Sequence, residues 1–64
     1  MKVIINDEID VFQGAKVKDA IRKYSMEVFQ AVKEGQKIVV DQNGNQLSLD
    51  GELISGQQVF IKEK

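Results

Sequence analysis

Val17-Lys-Asp-Ala-Ile-Arg-Lys-Tyr-Ser-Met-Glu-Val-Phe-Gln-Ala-Val-Lys-Glu34 lies in the longest stretch of the chain without glycine or proline, and its reading decides the fold. Val17, Ala20, Ile21, Tyr24, Val28, Ala31 and Val32 recur at i, i+3, i+4 and i+7 spacing, which is one face of a helix. Gly35 follows as a stop, with Lys33 in the last turn, where a cation suits the helix dipole. One unbroken helix over 17–34 would run about 27 Å at 1.5 Å per residue. It would overhang strands of about 17 Å and leave Met26 and Phe29 off its apolar stripe. Ser25 is a good N-cap and Glu27 suits a first turn. The spacing therefore predicts a helix over 17–24, a break at Ser25 and a short second helix over 26–34.

On either side the residues are β-branched and short in run. Lys2–Asn6 reads as a strand, Asn6-Asp7-Glu8 as a tight turn, and Ile9–Phe12 as the returning strand of a hairpin. After the helical segment, Lys37–Asp41 is a third strand and Asn43-Gly44 centres a turn. Gln46–Leu49 is a short fourth strand and Gln58–Lys62 the last. Leu53 and Ile54 sit in the intervening loop as plugs for the edge of the core. The order is hairpin, helical crossover, strand, short strand, strand, in a single domain over 1–64. This predicts an α+β fold of the ubiquitin-like β-grasp kind. A mixed four- to five-stranded sheet packs on one helix plus a short second helix, with the first and last strands paired parallel at its centre.

Composition narrows the function classes. The chain has 64 residues, no cysteine and no histidine. This removes disulfides, thiolate zinc sites, a cysteine nucleophile, and the residue that most often binds metal or acts as a base near neutral pH. Nine Lys+Arg against ten Asp+Glu give a net charge of −1, without the basic excess typical of a nucleic-acid binder. The longest apolar runs are three residues, so neither a bilayer-spanning segment nor a signal peptide is expected, and a cytoplasmic location follows.

Several short motifs carry a resemblance. Lys2-Val-Ile-Ile-Asn-Asp7, Gly14-Ala-Lys-Val-Lys-Asp19, Val39-Val-Asp-Gln-Asn-Gly44 and Ser55-Gly-Gln-Gln-Val59 occur in this order along the whole chain. Together they resemble the small sulfur carriers of the ThiS and MoaD kind and, more distantly, TGS domains. The resemblance implies a β-grasp fold and a protein partner, an adenylating enzyme or a synthase of thiamin or molybdopterin biosynthesis. Those carriers work through a flexible terminal Gly-Gly whose carboxylate becomes a thiocarboxylate. Here the matching segment reads Ile61-Lys-Glu-Lys64, so no carrier residue transfers. The TGS likeness implies a regulatory or RNA-contacting module.

Clusters with chemical potential have simpler readings. Asp7, Glu8 and Asp10 sit at a hairpin, where alternation points Asp10 away from Ile9 and Val11, and read as a solvated turn. Asp41, Asn43, Asn45 and Asp50 place oxygens at alternate positions as a calcium loop does, but the glycine is misplaced and no bidentate Glu follows. Gly51 and Gly56 precede no helix with Lys-Ser/Thr and are turn glycines. Lys16, Lys18, Arg22 and Lys23 form a possible basic patch for RNA phosphates or an acidic partner, diluted by Asp19 and Glu27 into a mixed face. No nucleophile and base pair is recognisable, and an enzyme, cofactor or metal site is not expected.

Strand alternation points to a surface instead. Val3, Ile5, Ile9, Val11, Ile38, Val40, Val59 and Ile61 are assigned to the core. Ile4, Phe12, Val39 and Phe60 then lie on a sheet face that no helix covers, as a protein-contact patch. The expected protein is a non-catalytic domain that binds a protein partner through this face, as a monomer or weak homodimer. A carrier with a missing tail and a TGS-like module are the alternatives.

Overall fold

The computed structural model describes residues 1–64. The elements run β1 (Lys2–Ile5), β2 (Asp7–Asp10), α1 (Val17–Tyr24), α2 (Met26–Lys33), β3 (Lys37–Asp41), β4 (Gln46–Leu47) and β5 (Val59–Glu63). They form a small α+β fold with two helices and two antiparallel sheets, β1-β2 and β4-β3-β5. A parallel bridge between Ile4 and Gln58 sets β1 beside the start of β5. Two backbone hydrogen bonds flank it: the Ile4 N–H donates to the Gln57 carbonyl at 2.9 Å, and the Gly56 N–H to the Lys2 carbonyl at 2.6 Å. Gly56 takes a φ of +81°, which glycine adopts at little cost and which aims its N–H at β1. In place of one continuous mixed sheet, the first and last strands thus meet at a short seam. β1 is too short to follow β5 further, because the chain reverses at Asn6.

That reversal is tighter than the spacing suggests. The register pairs Ile5 with Asp7 and leaves only Asn6 between them, at a φ of 67°. Asn tolerates this left-handed conformation better than other non-glycine residues. The returning strand consequently starts at Asp7 and ends at Asp10, ahead of the expected Ile9–Phe12. Phe12 falls beyond it, where its carbonyl accepts from the Ala15 N–H at 3.0 Å in a turn. The fourth strand is also shorter than its alternation implies, stopping at Leu47.

The helical segment breaks at Ser25. The Ser25 hydroxyl accepts from the Val28 N–H at 3.2 Å, capping α2, while the Ser25 N–H donates to the Ile21 carbonyl at 2.8 Å and ends α1. The break folds Phe29 against the core but leaves Met26 exposed. At the end of α2 the Gln36 N–H donates to the Ala31 carbonyl and the Gly35 N–H to the Val32 carbonyl. This Schellman pattern needs the positive φ of Gly35, 83° here. At the start of α1 the free Val17 and Lys18 N–H groups donate to the Gly51 and Leu49 carbonyls, both at 2.9 Å. The 49–51 loop thereby satisfies donors that a helix cannot satisfy itself.

The core lies between the helices and one side of the strands. Val3, Ile5, Val11, Ala15, Val17, Ala20, Ile21, Val39, Leu53 and Val59 form it, with Ile9, Leu47 and Ile61 packed at its margin. Leu53 plugs the edge as expected. Ile54 does not, being 71% exposed, because the chain passes Leu53 inward and the next side chain points out. No helix is long and apolar enough to cross a membrane.

Ser25→Ala should lower stability by about 1 kcal/mol through loss of the cap. Asn6→Ala should cost about 1–2 kcal/mol through the left-handed turn, with Asn6→Gly close to neutral. Urea unfolding followed by circular dichroism measures all three.

Candidate protein-contact surface

Registers determine which side chains share the back of the sheet. On β1 and β5, Val3, Ile5, Val59 and Ile61 face the helices, so the alternate residues Ile4, Phe60 and Lys62 face the other way. On β3, Val39 pairs with Ile61 and with Leu47, while Val40 pairs with Phe60 and Ile38 with Lys62. Val39 is therefore a core residue, 1% exposed, and does not belong to the back face where alternation placed it. Ile38 and Val40, assigned to the core from sequence, pair with the far side of β5: Ile38 is half-buried, while Val40 is buried as expected, though outside the main core cluster. The phase of β3 is shifted by one residue, and each of its side chains changes sides with it.

The resulting surface is a diagonal strip of Ile4, Phe60, Val40 and Ile38. Phe60 is 45% exposed. Val40 is buried, 5% exposed, and adds little open surface to the strip. Ile4 and Ile38 are half-buried. Phe12, 62% exposed, is not part of the strip. It lies past Asp10 at the open end of the hairpin, with the Lys2–Asp10 pair between it and Ile4. The structure thus places Ile4 and Phe60 on one side of the sheet with Gln58 opposite Ile4, separates Phe12 from them, withdraws Val39 and adds Ile38 and the buried Val40.

At the upper margin of the strip, past the Ile4–Gln58 bridge, β1 and β5 part. Ile5, Asn6, Tyr24, Val59, Phe60 and Ile61 line the cleft between them.

The basic residues of α1 are engaged locally. Lys18 pairs with Asp50 at 3.1 Å, and Arg22 with Asp19 at 3.3 Å. The Arg22 guanidinium also lies 5.3 Å from the centre of the Phe29 ring, a cation–π contact that ties α1 to α2 across the break. Lys23 Nζ donates to the Asp10 carbonyl; at Lys16, just before α1, it is the backbone N–H that donates to Asp19 Oδ2 at 2.9 Å, and the ammonium has no ion-pair partner. Exposed pairs like these contribute only about 0–1 kcal/mol each, but they balance the charge of the surface. Asp41 closes its own turn, Oδ1 accepting from the Asn43 and Asn45 N–H groups at 2.8 and 3.0 Å. No three His, Cys, Asp or Glu side chains gather in a metal-holding group.

No protein-family model matches the chain, nor does any curated protein or solved structure.

The corrected phase gives a direct test. Val39→Asp should cost about 3 kcal/mol or more, because an unpaired carboxylate enters the core. Phe60→Asp, on a wet face, should cost about 1 kcal/mol or less. Chemical denaturation of the two variants ranks them, and equal losses would contradict the assignment.

Proposed function

We propose that this chain is a small ubiquitin-like β-grasp domain, related in design to the ThiS-like proteins, that acts by protein contact through the back of its sheet and performs no chemistry of its own. The spatial sequence of strands supports the fold reading. β2 pairs with β1, β1 lies parallel beside β5, and β5 and β4 flank β3 on its two sides. The helical crossover packs on one side of β1, β2 and β3. This order supports the β-grasp reading.

The observation that carries the functional reading is the strip of Ile4, Phe60, Val40 and Ile38 on the side the helices leave bare. Lys2, Glu8, Asp10, Gln58 and Lys62 share that side by register, as on a sheet with one wet face, and Phe60 is the large exposed apolar residue among them. A large aromatic ring kept half in water, with aliphatic neighbours across two strands, lowers the free energy of the complex that covers it and contributes nothing comparable to the free chain. A cytoplasmic location accords with this reading.

Immobilised wild-type chain should retain a partner from an extract of its own host, and Phe60→Asp should lose it while keeping the wild-type circular dichroism spectrum. Retention of the same partner by the folded variant would overturn the reading.

A further inference from the structure

The spatial order β2-β1-β5-β3-β4 puts β5 in the middle of the strands, yet one of its edges is open. The Lys64 N–H donates to the Gln36 carbonyl at 3.3 Å and continues the ladder with β3, so Phe60 and Lys62 also turn their main-chain groups toward β3. Val59, Ile61 and Glu63 turn theirs the opposite way, toward β1. β1 accompanies β5 only at the Ile4–Gln58 bridge, and the chain turns away at Asn6. Past that point the Val59 carbonyl, the Ile61 N–H and carbonyl, and the Glu63 N–H meet no main-chain partner.

The outer rims of the strands are guarded and this gap is not. An open strand edge invites pairing with another chain, and proteins block such edges with charge, shortness or proline. β2, at one rim, carries Asp7, Glu8 and Asp10, and β4, at the other, is 2 residues long. The gap beside β5 is walled by Ile5, Asn6, Tyr24, Val59, Phe60 and Ile61, none of them charged. Glu63, at the end of the strand, is drawn across to Lys37 on β3 at 3.1 Å. Tyr24 and Ile61 are half-buried, so a side chain entering between them finds apolar surface still partly open.

We infer that the gap takes an extended segment of a partner polypeptide, which adds beside β5 as a strand. The free groups alternate along the edge as acceptor, donor, acceptor and donor, and the main chain of a strand is what matches that row. A strand running in either direction closes all of these bonds over about three to five residues. It stands where β1 would lie had it continued past Asn6. Its central residue directs an apolar side chain at Ile5, Tyr24 and Ile61. This site is a strand edge, so the inference goes beyond the contact reading of the back of the sheet and does not rest on it.

Amide exchange by NMR and a peptide selection test it together. In the free chain the Ile61 amide should exchange at least about tenfold faster than those of Phe60 and Lys62. Equal protection would show the edge already paired and overturn the proposal. A displayed library of random octapeptides, selected on the wild-type chain, should enrich sequences with an apolar residue at the centre of a β-branched run. A selected peptide should slow Ile61 exchange at least about tenfold. Methylating its backbone nitrogens one at a time should weaken binding at least about tenfold at alternate positions and little between them, because every second N–H faces β5. No enrichment would overturn the proposal, as would a selected peptide that leaves Ile61 exchange unchanged or is insensitive to methylation. Slowing of Ile61 by raised chain concentration alone would make a second copy the occupant and overturn it too.

Discussion

The seam between the two ends of the chain is the constraint on which the rest of the structure depends. Ile4 and Gln58 are bridged in parallel, with hydrogen bonds from Ile4 to Gln57 and from Gly56 to Lys2 on either side. Because side chains alternate along a strand, this pairing fixes two things together. Val3, Ile5 and Val59 point under the helices, and Ile4 and Phe60 point away from them. A one-residue slip at the seam would exchange the core with the bare face. The seam also joins residues that are distant along the chain, so forming it requires closing nearly the whole molecule into a loop. What offsets that cost is burial of the core it assembles.

A chain of this size has little core to spare, and its loops and helix ends contribute to it. Leu53 seals one edge, and the 49–51 loop supplies carbonyls to the start of α1. The break at Ser25 turns α2 back over β3, so that Val28, Phe29 and Val32 reach the core margin instead of projecting past the sheet. Arg22 over Phe29 braces the elbow from outside. Both helices thereby stay on one side of the strands. Coverage of one side by a single short crossover leaves the other side of the strands without a helix over it.

Elements with a clear period were legible in the sequence, and those without one were not. The helix face ran from Val17 to Val32 with a capping serine at its middle, and both helices lie where that pattern places them. β1 and β3 were marked by β-branched residues. The phase of β3 was not, because Ile38-Val39-Val40 is uniformly apolar and gives no alternation to read. The signal lay across the hairpin. Leu47 alternates with Gln46 and Ser48, and a three-residue turn over 42–44 sets Leu47 opposite Val39, which draws Val39 into the core. β2 was misplaced for another reason. Asp7-Glu8-Ile9-Asp10 has low strand propensity, and only the left-handed Asn6 makes it the returning strand. That shift also moved Phe12 out of the strip. Of the four residues assigned to the open side, Ile4 and Phe60 lie there, Val39 lies in the core and Phe12 lies past the hairpin.

The account joins a backbone event to a surface. Where β1 meets β5, one face is packed and its reverse carries Ile4 and Phe60 with no helix over them. Amide hydrogen exchange followed by NMR tests this most directly, because the Ile4 and Gly56 N–H groups are protected only if the ends of the chain are paired. The account predicts that both exchange as slowly as the core amides of β3, through opening of the whole molecule. Exchange at the rate of an unpaired loop amide would show the end strands apart and contradict it.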